Sequence, residues 1–248
     1  MAEHRKEFSN NYFDSGEHKV GEYSSYEAER FYPAFISMVT EIQKRFPGKK
    51  ILDLGCAKGF LVDVLRQNGY DAYGTDISEY AIKSCPPGLT PFLQVCDLNT
   101  DRIPFPDSFF DIIVCMGTLE YVENQEHALQ EINRILKPGG AFLMTTLNSV
   151  TREDELRKYA RKEEDWQATF AKLGYSSKKE LAVKVFTGYV KKITEYDFAR
   201  SLSDPKNSNL KMKIAGLFFK TIGKGMIVQY LLNKQLQSGY LMLGYIRQ

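Results

Sequence analysis

Ile51-Leu52-Asp53-Leu54-Gly55-Cys56-Ala57-Lys58-Gly59 is the stretch on which the fold of this 248-residue chain turns. An apolar run with one acid reads as a buried strand, and the small residues after it read as a tight turn. From Phe60 to Gln67 the apolar residues Leu61, Val64 and Leu65 then recur at helical spacing. Strand, glycine turn and helix in that order open the parallel units of an α/β sheet. In such sheets ligands bind outside the carboxyl ends of the strands, near the point where strand order reverses.

The same alternation continues downstream. Ala72–Thr75, ending at Asp76, reads as a second strand, Glu79–Lys83 as a helix and Phe92–Val95 as a third strand. Phe110–Met116 is apolar apart from Asp111, as expected of a parallel strand covered on both faces. His127–Leu136 places Ala128, Leu129, Ile132, Ile135 and Leu136 on one helical face, and Pro138-Gly139-Gly140 separates it from a fifth strand, Ala141–Thr146. Upstream, Phe31, Phe35, Met38, Val39 and Ile42 set a helix between Glu27 and Phe46, stopped by Pro47-Gly48. Residues 1–28 are polar and tyrosine-rich, with Tyr12, Tyr23 and Tyr26, and read as a lid. Beyond Leu147, Glu163–Leu173 reads as a helix, Leu181–Val190 as a sixth strand, 195–236 as mainly helical and Gly239–Ile246 as a seventh strand.

The expected architecture is therefore a Rossmann-like, doubly wound, mostly parallel seven-stranded sheet with helices on both faces and a helical insertion before the last strand. It forms one domain: an N-terminal lid and helix (1–48), a ligand-binding core (49–147), and an acceptor-side half (148–248) with the insertion at about 195–236.

The chain's acids are placed to hold a nucleoside. Asp76 follows Gly55 by 21 residues and ends the second strand, where a carboxylate accepts from the hydroxyls of a ribose. The competing role for it is a helix cap, which Ser78 can fill as well. Asp97 follows the third strand and precedes Pro104-Phe105-Pro106-Asp107-Ser108-Phe109-Phe110-Asp111. This ordered set of glycine turn, Asp76, Asp97 and Phe110-Asp111 resembles class I S-adenosylmethionine-dependent methyltransferases, within them the type 11, UbiE-like small-molecule branch. Met116-Gly117-Thr118-Leu119-Glu120-Tyr121-Val122 and Leu136-Lys137-Pro138-Gly139-Gly140 extend the resemblance, which runs from about Lys50 to Thr146.

The resemblance implies S-adenosylmethionine as cofactor, held by Asp53, Gly55, Cys56, Ala57, Gly59, Asp76, Ile77, Asp97, Leu98 and Met116. Asp97 then takes the adenine amino group, with Leu98 against the ring. The chain departs from the family pattern at Ala57, where glycine is usual, and at Tyr121, where many relatives carry histidine. A general base is consequently not transferred, and Glu120, Tyr121 and His127 are the nearest candidates. A dinucleotide fingerprint starting at Gly55 would need glycine at positions 57 and 60, whereas the chain has Ala57 and Phe60. This disfavours an NAD(P)-dependent oxidoreductase. A non-catalytic nucleoside-binding or scaffold protein of the same fold is the other alternative.

Cys56, Cys85, Cys96 and Cys115 show no CxxC spacing, and His4, His18 and His127 no ligand spacing, so no metal is expected. Reduced thiols, the lack of an early basic and apolar leader pattern and the absence of a long apolar run point to the cytoplasm. The net charge of +2 hides an asymmetry, with 14 Lys+Arg against 21 Asp+Glu in residues 1–146 and 19 against 10 in residues 147–248. Lys211, Lys213, Lys220 and Lys224 interleave with Ile214, Leu217, Phe218, Phe219 and Ile222, a basic amphipathic pattern. It suggests either a lid or a peripheral membrane contact through residues 211–224, and a small-molecule acceptor that is anionic or lipid-linked. Nucleic acid is disfavoured, because no reading module is present.

Overall fold

The computed structural model describes residues 8, 11–15, 26–47, 49–147, 158–203 and 240–248. Its strands are β1 (Lys50–Leu54), β2 (Asp71–Asp76), β3 (Leu93–Val95), β4 (Phe110–Met116), β5 (Leu136–Leu147), β6 (Tyr175–Ser177) and β7 (Tyr240–Arg247). The helices are α1 (Ala28–Arg45), α2 (Phe60–Gln67), α3 (Glu79–Lys83), α4 (Gln125–Ile135), α5 (Glu163–Lys172) and α6 (Lys179–Ser203). The sheet order is β3-β2-β1-β4-β5-β7-β6. β1 to β5 pair in parallel, whereas β7 runs antiparallel between β5 and β6. Strand order reverses between β1 and β4, so the switch point lies at the end of the glycine-turn strand.

Strand alternation divides the core between the two faces of the sheet. Ile51, Ile112, Val114 and Leu143 face α1, α2 and α6, and join Phe31, Phe35, Met38, Leu61 and Phe186. Leu52, Leu54, Ile113, Cys115 and Phe142 face α4 and α5, and join Leu129, Ile132, Trp166 and Phe170. A strand buried on both sides has no polar face to show, which is why β1 and β4 read as nearly continuous apolar runs.

Two expectations change in the C-terminal half. Leu181–Val190 is not a strand but part of the long helix α6; the sixth strand is the short Tyr175–Ser177. The β-branched and aromatic content of Leu-Ala-Val-Lys-Val-Phe invites an alternating reading that would put Leu181, Val183 and Val185 on one face. Instead Val183 is 40% exposed while Ala182, Val185, Phe186, Val190 and Ile193 are buried, the spacing of a helix. Close packing of α6 on α1 selects that period. A Cβ on Gly188 would stand 2.4 Å from Ser37 Oγ, so the glycine lets the helices approach. Arg30, nearly buried, donates to both carboxylate oxygens of Asp197 at 2.8 and 2.6 Å. The second change is that β5 starts at Leu136 rather than Ala141, directly after α4, and passes through Pro138-Gly139-Gly140 with a register shift against β4. Residues 195–203 of the expected insertion form the end of α6; residues 204–236, including Lys211, Lys213, Lys220 and Lys224, lie outside the described residues. No helix among the described residues is long and apolar enough to cross a membrane.

Candidate cofactor and acceptor site

The turn after β1 is shaped by backbone conformation. Gly55 sits at φ +84°, and a Cβ there would fall 2.1 Å from Thr118 Oγ1 at the end of β4. The Gly55 and Cys56 N–H groups both donate to the Thr75 carbonyl, at 2.8 and 2.9 Å, tying the turn to β2. Ala57 also stands in the left-handed region, at φ +50°. That is the position where the resemblance has glycine, and an alanine there costs roughly 1–2 kcal/mol of local strain. The strain is offset by the Ala57 N–H, which donates to Asp76 Oδ2 at 2.8 Å.

Asp76 accepts from Ser78 N at Oδ1 as well, at 2.9 Å, and the carboxylate keeps lone-pair capacity for a ligand. The helix cap is supplied by Ser78, whose Oγ accepts from Ala81 N. Asp76 is thereby left to the opening at the strand ends. Burial raises its pKa, against the opposing effect of backbone donors from Ser78, Ala57 and Ile77. Asp53, only 5% exposed, is pushed up to about 8, first by burial and then by the charge of Asp76. Asp97 is buried beyond β3, and its Oδ1 accepts from both Asn99 N and Asn99 Nδ2 at 3.0 Å.

These three acids line one cavity of about 1180 Å³, open space at its mouth included, at the carboxyl ends of β1, β2, β3 and β4. Gly55, Ala57, Ile77, Leu98, Met116 and Tyr121 line it too, together with Thr118. Two residues expected at the cofactor do not line it. Cys56 turns under β2, where a Cβ on Gly74 would meet its Sγ at 2.7 Å, and burial holds its thiol well above the usual range. Gly59, at φ +76°, precedes α2, and a Cβ there would press on Leu93 and Leu89 at 2.7 and 2.9 Å. It is a packing glycine.

Of the three candidate bases, Tyr121 alone lines the cavity, with its hydroxyl 3.4 Å from that of Tyr12. Glu120 is buried behind the site and accepts from Thr146 Oγ1 at 3.0 Å. His127 lies on α4, its Nε2 3.0 Å from the Asp101 carbonyl.

The far wall was only partly legible in the sequence. The lid reading anticipated Tyr12 and Tyr26, and Phe8 and Phe13 join them. Phe31 and Phe35, at core spacing on α1, and Tyr189, on α6 rather than on the expected strand, complete the wall. The lid segment is fastened to the turn and to α3: Lys58 Nζ lies 2.6 Å from Asp14 Oδ1, Tyr80 donates to Asp14, and Ser78 Oγ donates to the Phe8 carbonyl at 2.5 Å.

Comparison with known proteins bears on this assembly. Residues 52–144 match the family described as "Methyltransferase domain". Residues 52–144 are thus similar to a methyltransferase domain, over a little more than a third of the chain. Such a domain implies S-adenosylmethionine as cofactor, and the turn, Asp76 and Asp97 line a cavity where such a nucleoside can be held. A ubiquinone biosynthesis O-methyltransferase of Azoarcus sp. is 35% identical over 106 residues, covering 41% of this chain and 45% of the relative. The mitochondrial arginine-hydroxylase NDUFAF5 of Rattus norvegicus is 31% identical over 106 residues, covering 42% of this chain and 30% of that protein. The chain thus spans less than half the length of these curated relatives. An S-adenosylmethionine-dependent methyltransferase from Mesorhizobium loti shares the fold, with a TM-score of 0.54 and 16% identity over 88% of this chain and 98% of that one.

Proposed function

We propose that this protein transfers a methyl group from S-adenosylmethionine to a small-molecule acceptor bound in the same cavity. The observation that carries the reading is the row of carboxyls, Asp53, Asp76 and Asp97, at the ends of three adjacent strands around one cavity backed by the Gly55 turn. The residues fit the cofactor: Asp76 has capacity for ribose hydroxyls, Asp97 with Leu98 for the adenine, and Gly55 allows close approach of the backbone. Asp53, beside the turn, suits the positive charge of the methionine part.

The cofactor supplies a methyl group activated on a sulfonium. On transfer the acceptor atom would bond to the methyl carbon as the carbon–sulfur bond breaks, the electron pair staying on sulfur and the acceptor's proton leaving to solvent at the cavity mouth. What the protein contributes is alignment and exclusion of water, which in favourable cases supplies about 7–11 kcal/mol of barrier reduction. The lid over the strand ends, latched by Asp14 to Lys58, serves that exclusion. The printed names of the relatives favour an oxygen acceptor, although one relative is named for hydroxylation.

Calorimetry with S-adenosylmethionine, its demethylated product S-adenosylhomocysteine, and NAD tests the reading. Binding of the first two but not of NAD is expected; no binding of either sulfur compound would overturn it. A methylation screen with isotopically labelled cofactor then separates an enzyme from a nucleoside-binding scaffold.

A further inference from the structure

Two separate turns line one rim of the cavity, and a single side chain joins them. Asp97 stands just after β3, whereas residues 117–122 follow β4 and bring Tyr121 and Val122 to the cavity. Asn99, half-buried and itself part of the lining, lies between the two. Its backbone N–H and its Nδ2 both donate to Asp97 Oδ1 at 3.0 Å. On the other side its Oδ1 accepts from the backbone N–H groups of Glu123 and Asn124, at 2.9 and 3.0 Å. Asn124 returns a bond from Nδ2 to the Asn99 carbonyl at 3.3 Å and caps α4 by accepting from His127 N, also at 3.3 Å. A second tie runs alongside. His127 Nε2 lies 3.0 Å from the Asp101 carbonyl, and since a carbonyl only accepts, that nitrogen carries the proton; Asp101 Oδ2 in turn accepts from Asp97 N at 2.9 Å.

The orientation of the Asn99 amide follows from its partners. The Glu123 and Asn124 N–H groups can only donate, so they face the oxygen, and the NH2 end is left to the carboxylate. An aspartate at this position would still accept from the two N–H groups but would set a second carboxylate against Asp97. The bond to Asp97 is charge-assisted, which makes it the stronger kind. With Oδ1 so engaged, Asp97 Oδ2 is the oxygen without a protein donor among the described residues.

We infer that Asn99 is a positioning residue that fastens Asp97 to the segment carrying Tyr121, so that seating a nucleoside at Asp97 and setting that segment are coupled. This inference rests on the reading of the cavity as an S-adenosylmethionine site and adds a link between two parts of its wall. A ligand held by Asp97 restrains that carboxyl, then the amide bonded to it, and through the amide the N–H groups that open α4. Gln125, in the first turn of α4, carries the restraint back to the turn before Tyr121 by donating Nε2 to the Leu119 carbonyl at 2.8 Å.

Residue-resolved amide hydrogen exchange of the full chain, with and without saturating S-adenosylhomocysteine, tests the link together with calorimetry. In the wild type the Glu123 and Asn124 N–H groups are expected to exchange about tenfold or more slowly once the ligand is bound. Asn99→Asp is expected to keep both amides bonded in the empty protein, yet to bind S-adenosylhomocysteine about tenfold more weakly and to lose the ligand-dependent slowing. Asn99→Ala is expected to exchange fast at both amides in either state, with a similar loss of affinity. In a double-mutant cycle with Asp97→Asn the two affinity losses should fall short of additivity. A residue that only holds the start of α4 gives another result, since Asn99→Asp then binds the ligand like wild type. That result, additive losses in the cycle, or wild-type amides at Glu123 and Asn124 that the ligand leaves unchanged overturns the inference. A wild-type protein that binds no S-adenosylhomocysteine sinks the methyl-transfer reading instead. Should Asn99→Ala not fold, Asn99→Asp and the exchange of the wild type decide.

Discussion

Replacing Gly55 with alanine should strike the turn that the site is built on, and its size can be worked from two local terms. At φ +84° an alanine pays roughly 1–2 kcal/mol for the left-handed conformation. Its Cβ would also stand 2.1 Å from Thr118 Oγ1 and 2.7 Å from Cγ2. Thr118 cannot yield freely, because its hydroxyl lies 3.3 Å from the Leu54 carbonyl and 3.2 Å from that of Met116. Displacing it forfeits about 1 kcal/mol of hydrogen bonding besides packing. The expected loss for Gly55→Ala is therefore about 2–4 kcal/mol of stability, a large share of the 5–15 kcal/mol typical of a domain. Thr118→Ala removes the two nearest contacts and leaves the Cβ contact at 2.9 Å together with the backbone strain. In that background the same glycine substitution should cost less, by about 1–2 kcal/mol of coupling in a double-mutant cycle. Urea unfolding of the four proteins, with S-adenosylhomocysteine titration of each, measures both effects. Additive penalties, or a Gly55→Ala protein as stable as wild type, would refute the reasoning that Thr118 and the turn share one crowded volume.

Gly59→Ala should behave differently, lowering the melting temperature through its +76° φ and the press on Leu93, while cofactor affinity of the folded protein stays within about twofold, since this glycine faces helix packing and not the cavity. Asp76→Ala should weaken S-adenosylmethionine by about 1–3 kcal/mol, measured by calorimetry, because the ribose hydroxyls lose their acceptor. Asp53 sets a pH dependence: burial and the charge of Asp76 push its pKa up to about 8 in the folded protein, above the ordinary 3.8, so the carboxyl favours its protonated form at pH 7. A cationic ligand favours the ionised form, so affinity should rise as pH increases toward 8 and binding at pH 7 should release protons, read from calorimetry in buffers of different ionisation heat; Asp53→Asn should remove the slope. For folding the sign is the reverse, because the folded state holds this proton more tightly: the contribution is full below about pH 4 and is lost as pH rises through about 8. Asp197→Ala should cost about 1–2 kcal/mol in urea unfolding, the bidentate bond to a nearly buried Arg30 being discounted for the exposed partner, and a cycle with Arg30→Ala should show the coupling.

The cofactor half of this protein was legible in its sequence because what specifies it is local. A buried strand, a turn of small residues and a helix lie within seventeen residues of each other at Ile51–Gln67, and the acids Asp76 and Asp97 close the next two strands; periodicity and turn chemistry need no distant partner. Even Ser78 as the alternative cap could be weighed from sequence, and the structure gives the cap to Ser78 and Asp76 to the cavity. Other choices belonged to tertiary packing. Residues Leu181–Val190 have side chains that suit a strand, and became helical where Gly188 let α6 settle on α1. Whether Gly55 or Gly59 meets a ligand depended on what stands opposite each, Thr118 beside the cavity or Leu93 beneath a helix. Glu120 and Tyr121 are neighbours in the chain, yet a single step of backbone sends one carboxylate behind the site to Thr146 and one ring into the cavity. The aromatic wall joins the lid and α1 to α6, more than a hundred residues further along the chain, and contacts at that separation leave no period in the sequence to be read.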